Sequence, residues 1–595
     1  MIAILGRKAL PDESVARRAL AALPYSAPDV EFRRLGDCLL GIARQQDLPD
    51  AFISGDGTLI AVLQGRLDNR VELQLACTAA GTPPASGSDA DVVVAAFRQY
   101  GPDVVNRFRG AFAGAVSDGH TLWTFRDHVG FRALFYRDDA EACVAASDAR
   151  SVVVASQIPE EPDLAAVEQI FFGYLPSNAP SALKGVSRLA QGTLMTAVSA
   201  PGAEHKRFWQ PYELLETGTF NSDDAGERFL ELLSQAVTRC VTGQDVVFLS
   251  GGLDSPAVAA YAAPLHQRMT GRPLGALAVV FPDLPAVDER PYIELVAQRF
   301  GMKLDTYSTA ARALDDVEEW SRRMATPVPT LSLPEVWEAY QRARSLGYRN
   351  VLTGEFAELT YGKHMHQLSH LLLRGRFRAL VDVMKAEHAR GEGRRDLVKD
   401  ALTAFVPGRV VNRWLALRGR NAMHKVPPWI HRSRYNPNVS RYDYLVPARE
   451  RWRSMQLWGT TGSTITMEAD AMCAAMAGVT IRRPLADVDL WEFFLSLRAE
   501  VKFPVLQWKA LARRHLRGVI PDEILDRQKK TLFDEHVMRQ VDYATLERLL
   551  IKPRHRINGV DYEKLEDRIL RRELGFHEWM RARELARMHA FLNAW

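Results

Sequence analysis

The residues best suited to chemistry are Ser250-Gly251-Gly252-Leu253-Asp254-Ser255, directly behind the apolar run Val246-Val247-Phe248-Leu249. Unbroken β-branched and aromatic residues predict a strand buried on both faces, as in a parallel sheet. Pro256-Ala257-Val258-Ala259-Ala260-Tyr261 predicts the first turns of a helix, with proline where a missing N–H does no harm. Strand, glycine turn and helix together aim backbone N–H groups and a helix N-terminus at phosphate oxygens. Gly251 and Gly252 let the backbone approach an anion, Ser250 and Ser255 add hydroxyl donors, and Asp254 can hold a magnesium ion on the phosphates. The lysine of the GxxxxGK[S/T] phosphate loop is absent.

A chain of 595 residues is too long for one ordinary core, so at least two domains must position this loop. Its 47% hydrophobic and 25% charged residues are those of a globular protein, and a net charge of +4 gives no argument for nucleic acid or a membrane. Cys38, Cys77, Cys143, Cys240 and Cys473 are scattered, with no CxxC pair, which predicts reduced, mostly buried thiols and neither disulfides nor a zinc site. Arg7 and Lys8 end the apolar Met1-Ile2-Ala3-Ile4-Leu5 far short of a secretion signal, and no segment reaches bilayer length. A soluble, cytoplasmic protein is expected.

The first two hundred residues carry short β-branched segments between turns. Ala51 to Leu63 predicts a hairpin turning at Gly55-Asp56-Gly57, and further strands are expected at Gly114–Ser117, Thr121–Phe125 and Ala142–Ala146. Val71–Ala79 and Asp89–Tyr100 predict helices between them, giving an α+β layered domain over 1–205. From about Asp224 helices alternate with strands at Asp245–Leu249, Ala276–Phe281 and Asn350–Thr353, which predicts an α/β domain with a parallel sheet over 206–595. Beyond Gly362 the chain reads as mainly helical, interrupted by a basic, aromatic insertion over about 364–458.

The Ser250–Ser255 loop resembles the pyrophosphate loop of the N-type ATP pyrophosphatases (adenine nucleotide α-hydrolase-like fold), which cleave ATP to AMP and pyrophosphate. Other motifs widen the resemblance. Asp56-Gly57-Thr58 through Asp68-Asn69, Ser88-Asp89-Ala90-Asp91 and Arg126-Asp127-His128-Val129-Gly130-Phe131-Arg132 look like the Ntn-type class II glutamine amidotransferase domain of asparagine synthetases. Asp288-Glu289, Thr353-Gly354-Glu355-Phe356-Ala357-Glu358, Arg482-Arg483-Pro484-Leu485-Ala486-Asp487 and Arg527-Gln528-Lys529-Lys530 follow in the order of the synthetase domain.

Two departures matter. The family hydrolyses glutamine with a cysteine at residue 2, where this chain has Ile2, and its oxyanion-hole asparagine is replaced by Gln64. An inactive glutaminase domain is therefore expected, and the amine must come with the substrate. That implies a β-lactam synthetase or a lasso peptide cyclase, and the insertion with Pro427-Pro428-Trp429 looks most like the cyclases. Those enzymes join a core peptide's N-terminal amine to an Asp or Glu side chain. An ammonia-using asparagine synthetase is the further alternative.

The resemblance assigns roles. ATP would lie on Ser250, Gly251, Gly252, Asp254, Ser255 and Gly354, with Leu249, Val247 and Val280 about the adenine. Magnesium would lie on Asp254 and Glu358, the latter usually an aspartate in the family. Glu355 would accept the proton of the attacking amine. Lys530, or Lys529 in the asparagine synthetase spacing, would stabilise the tetrahedral intermediate. Arg482, Pro484 and Asp487 read as structural. Arg374, Arg376, Arg378, Trp429, Arg432, Arg434 and Tyr435 are candidates for a peptide groove. Implied partners are a precursor peptide, a leader-peptide protease and a leader-recognition protein.

Overall fold

The computed structural model describes the chain apart from residues 26, 46, 47, 49, 173–180, 328–332, 409, 412–425, 432, 433, 435–445, 458–463 and 528–530. The N-terminal half holds two antiparallel six-stranded sheets. In the first, Ile2–Gly6 lies between Ala142–Ala146 and Cys38–Arg44. In the second, Ile60–Leu67 lies between Ala51–Gly55 and Gly110–Ser117. The strand period of two assigns the faces. Ile2 and Ile4 join the core under helices Glu13–Ala21 and Ala149–Ala155, whereas Met1, Ala3 and Leu5 meet Val62, Ala113 and Ala115 of the second sheet. Helices Arg70–Ala79 and Asp89–Tyr100 cover the second sheet's other face. The result is a helix–sheet–sheet–helix sandwich. Its last strand, Glu204–Arg207, pairs with Thr193–Ala197, so the sheet closes two residues beyond the expected boundary at 205.

The second half is built on a five-stranded, wholly parallel sheet. Asp245–Phe248 is central, with Gly275–Val279 and then Lys303–Tyr307 on one side, and Asn350–Leu352 and then Thr480–Arg482 on the other. Helices cover both faces. The two outermost strands escape sequence reading for separate reasons. Lys303–Tyr307 is a partly exposed edge without an apolar run, and Thr480–Arg482 has only three residues. The order of connection reverses beside the central strand, which opens a crevice at the carboxyl ends of Asp245–Phe248 and Asn350–Leu352.

The two halves share structure. The C-terminal helices Tyr543–Leu550, Tyr562–Leu570 and Phe576–Asn593 pack into the same core as Ile2, Val152 and Phe171. Trp429 lies in that core and is fully buried. It is therefore packing and not the wall of a peptide groove, which corrects the sequence expectation. Arg434 pairs with Glu168 at 2.8 Å and lies over Phe172, while Arg376 pairs with Glu216 at 2.8 Å and Glu500 at 3.1 Å, so both serve local packing. Arg374 and Arg378 are exposed; Arg432 and Tyr435 lie outside the described residues. No helix among the described residues is long and apolar enough to cross a membrane.

Among the described residues, a deeply buried polar contact between the halves centres on Glu468. Arg126 Nη2 donates to Glu468 Oε1 at 2.6 Å, and Arg188 Nε to Oε2 at 3.0 Å, with all three side chains at most 7% exposed. Arg126 also donates to the carbonyls of Gly130, Arg132 and Leu189. Removing the carboxylate leaves two buried guanidiniums facing each other. Glu468→Ala is expected to destabilise the chain by about 3–5 kcal/mol, seen as a lower denaturation midpoint, whereas Arg374→Ala on the surface leaves the midpoint unchanged.

Candidate active site

The two loops that border the crevice touch. A Cβ on Gly354 would sit 2.4 Å from Ser255 N and 2.8 Å from Asp254 C, so only glycine permits this approach. The loop after the central strand is cross-braced from within: Ser250 N donates to Ser255 Oγ at 2.9 Å, and the two serine hydroxyls are 3.1 Å apart. The helix Asp254–Thr270 then starts without a side-chain cap, leaving its first N–H groups available to a ligand.

Glu289 holds the loop from outside. Its Oε2 accepts from Gly251 N at 3.0 Å; its Oε1 accepts from Arg527 at 2.8 Å and from Thr531 Oγ1 at 2.7 Å. Arg527 also donates to Gly251 O at 2.9 Å and lies over the Tyr292 ring. Gly251 has to be glycine here, since a Cβ would stand 2.8 Å from Glu289 Cβ and 3.0 Å from Tyr292 Cβ. The motifs at Asp288-Glu289 and at Arg527 are thus one brace. Lys529 and Lys530 lie outside the described residues.

Lys509 is the cation that sequence reading missed. Its Nζ donates to Asp254 Oδ2 at 2.5 Å. The residue sits in the left-handed region (φ 60°) at the start of helix Ala510–His515, which no local pattern announces. The other oxygen, Asp254 Oδ1, is buried and has no hydrogen-bond partner among the described residues. An unsatisfied carboxylate oxygen at a loop of this shape fits a hard divalent cation. Glu358, half-buried at the end of the adjoining turn, is the second candidate ligand. Among the described residues no cluster of three or more metal-ligating side chains exists. Magnesium does not need one, because one or two carboxylates and the phosphate oxygens complete its shell.

Glu355 stands half-exposed beside the crevice. Arg483 Nε donates to its Oε2 at 2.8 Å, and Thr353 Oγ1 to the same oxygen at 3.4 Å. Arg483 is itself paired with Asp470, which accepts from Tyr340 Oη at 2.7 Å. Burial pushes the Asp470 carboxyl up, while its charge and that of Glu355 hold the Arg483 guanidinium above its ordinary range against burial. Between Glu355 and the helix, Phe356 adopts φ 74° and meets Phe131 of the N-terminal half edge-on at 5.6 Å. Leu249 is 4% exposed and belongs to the sheet core, as does Val247; Val280 is 6% exposed at the end of its strand. Burial at the lip of the crevice suits an adenine wall for Leu249 and Val280 only through their outer atoms.

Under the following turn, Lys502 Nζ donates to Gln456 Oε1 at 2.9 Å, and Gln456 Nε2 donates to Lys363 O at 2.8 Å. Lys502 is 2% exposed beside the Phe494 ring. Burial pulls its ammonium down to about 7, with Glu216 opposing.

The positions that the resemblance assigns to glutamine hydrolysis are occupied by packing. Ile2 is fully buried in its strand, and Gln64 Nε2 donates to Tyr25 Oη at 3.2 Å. All five cysteines are free and buried; burial pushes the Cys38 thiol up to about 11 and the Cys240 thiol up to about 12.

Two expectations follow. Glu289→Ala removes the acceptor shared by Gly251, Arg527 and Thr531, and is expected to weaken ATP binding about ten- to a hundredfold by calorimetry, since hydrogen bonds to a charged group are worth about 1.5–3 kcal/mol. Lys502 gives a pH signature. An unfolded lysine keeps its proton to about pH 10.4, but the folded one loses it near 7. The unfolded state binds more protons between these values, so stability rises with pH across that window. The stability of Lys502→Met relative to the native chain is expected to fall by up to roughly 1.4 kcal/mol per pH unit from pH 7 to pH 10; a flat difference in denaturant melts contradicts the assignment.

The comparisons with known proteins agree with this geometry. Residues 228–595 match the family model "Asparagine synthase", and residues 33–209 match "Glutamine amidotransferase domain". A curated relative, "Asparagine synthetase [glutamine-hydrolyzing] 3" of Bacillus subtilis, is 27% identical over 41% of this chain and 42% of its own length. "Asparagine synthetase [glutamine-hydrolyzing] 2" of the same organism is 28% identical over 41% of this chain and 35% of its own. A "Putative asparagine synthetase [glutamine-hydrolyzing]" of Mycobacterium bovis is 24% identical over 79% of this chain and 74% of its own. The chain thus spans less than half the length of the first two relatives. With more than half of its residues matched by one family model, the chain belongs to the asparagine synthase family.

Proposed function

We propose that the protein is an ATP- and magnesium-dependent, AMP-forming amide synthetase that acts as a lasso peptide cyclase. It adenylates an Asp or Glu side chain of a core peptide and closes it onto the peptide's own N-terminal amine, releasing pyrophosphate and then AMP. The observation that carries the cyclising part is the state of the N-terminal half: Ile2 lies fully buried in a strand, and every thiol in the chain is buried. A domain of glutaminase shape without an accessible thiol supplies no ammonia, so the amine arrives with the substrate.

The chain's own groups divide the work. The loop Ser250–Ser255, braced by Glu289 and Arg527, offers N–H and hydroxyl donors to the triphosphate. Lys509 and Asp254 set a cation and a carboxylate beside it. Asp254 and Glu358 would hold magnesium, which would supply charge neutralisation at the phosphate oxygens and so favour pyrophosphate as a leaving group. Glu355, oriented by Arg483, accepts the ammonium proton, since only the neutral amine attacks the acyl-adenylate. Lys530, with Lys529 as the alternative, meets the negative charge of the tetrahedral intermediate. Holding amine and carboxylate on one bound molecule makes the second step effectively unimolecular. The partners of this reading are the precursor peptide, a leader-peptide protease and a leader-recognition protein.

The curated relatives favour a second reading, because all three cited above carry the name asparagine synthetase. A third, closure of a small amino diacid in the manner of a β-lactam synthetase, uses the same site. Pyrophosphate release separates them when measured with a linear peptide bearing a free amine and an internal Asp or Glu, with small amino diacids, and with aspartate plus ammonia. Release with the peptide and a product lighter by one water is expected, and Asp254→Asn lowers the rate about a hundredfold or more. Turnover of aspartate or of the diacids alone refutes the cyclase.

A further inference from the structure

Between the two halves lies a narrow cavity that the proposed reaction does not use. Arg66, Asp68 and Ala111 of the N-terminal half and Cys240, Arg482 and Asp487 of the second half line it. Its volume is about 30 Å³, more than the ~10–15 Å³ that a single water requires.

The charges around it are unevenly satisfied. Arg66 Nε pairs with Asp68 Oδ1 at 2.5 Å, and Arg66 Nη2 reaches Cys240 Sγ at 3.5 Å. Asp487 is taken by Arg239 at 2.9 Å and accepts the N–H of Asp489 at 2.9 Å. Asp245, the carboxylate behind Arg482, accepts from Thr242, Gly243 and Asn350. Arg482, at the end of the strand Thr480–Arg482, is different: its Nε is buried and has no hydrogen-bond partner among the described residues. Burial, and then the like charge of Arg66, pull its guanidinium down to about 10. Cys240 offers no counter-charge, since burial keeps it a thiol. Asp68 and Asp245 act on the Arg482 charge from a distance, but its buried Nε is a donor without an acceptor, which costs free energy. Water in that space would leave the charge in place.

We propose that this cavity is a binding site for a monatomic anion of chloride size, held by Arg482 from the synthetase half and Arg66 from the amidotransferase-like half. The anion joins the two halves where no direct ion pair does so. The site also touches the chemistry through the backbone: Thr353 N donates to Arg482 O at 3.0 Å, and the next residue, Arg483, orients Glu355.

The full chain is to be melted in sodium chloride and in sodium bromide, each replaced stepwise by sodium gluconate at constant ionic strength. The midpoint is expected to rise saturably with chloride, by about 1–3 °C, and not with gluconate. Arg482→Met abolishes the dependence and is at least as stable in gluconate as the native chain, while Arg374→Met, on the surface, keeps it. Crystals grown with bromide are to be measured at its absorption edge, with an anomalous peak expected between Arg66 and Arg482. A dependence that is linear or absent in the native chain, or one unchanged by Arg482→Met, overturns the proposal. So does the absence of the bromide peak, which decides the matter even if the variant fails to fold.

Discussion

Gly354 carries the close approach on which the site depends. The strand Asn350–Leu352 and the strand Asp245–Phe248 are hydrogen-bonded neighbours, so the loops that leave them emerge side by side. With no Cβ at position 354, the second loop presses onto the backbone of Asp254 and Ser255. Any larger residue would push the turn that bears Glu355 and Glu358 away from the loop that bears Asp254. The carboxylates of the two loops would then no longer border one crevice. The parallel sheet supplies the crevice, but the glycine closes it.

Charge burial is the second constraint, and it is concentrated where the halves meet. Glu468 neutralises Arg126 and Arg188, Asp489 accepts from Arg109 and Arg239, and Asp487 accepts from Arg239. Such pairs add little net stability beyond what apolar residues would give, but breaking one leaves an uncompensated charge. They therefore act as a register. The observed docking pairs Glu468, Asp487 and Asp489 with arginines. Arg482, with its buried Nε unpartnered, stands beside Arg66, and the proposed anion answers both charges.

Much of the fold was legible because the informative elements are periodic or bounded by turns. The run Val246–Leu249 reads as a buried strand because nothing polar interrupts it, and the strand Asp245–Phe248 is what forms. The helices expected at Val71–Ala79 and Asp89–Tyr100 occur at Arg70–Ala79 and Asp89–Tyr100; Ser88 caps the second by accepting from Asp91 N. The site was legible as motifs but not as connections. Glu289 and Arg527 are 238 residues apart, and only the fold brings them to one loop. Lys509 is invisible for the same reason, and its left-handed backbone has no local signature. Trp429 misled because a tryptophan in a basic stretch suits a binding groove as well as a core. Its zero exposure assigns it to the core.

The N-terminal half has a physical role in the synthetase site even where it catalyses nothing. Phe356 holds φ 74°, which costs a non-glycine residue about 1–2 kcal/mol. That strain persists because Phe131, from the motif Arg126–Arg132, meets the Phe356 ring edge-on, and Arg483 lies over both rings at 5.5 and 5.6 Å. Asp127 holds the Phe131 turn in place by accepting from the N–H groups of Val129, Gly130 and Phe131. The path from the first half to the chemistry is therefore short: Asp127 shapes the turn, Phe131 fixes Phe356, and Phe356 sits next to Glu355. In the proposed reaction the amidotransferase-like half no longer makes the amine. It holds in place the carboxylate that the amine meets, which is reason enough for the family's outer motif to remain when its nucleophile has gone.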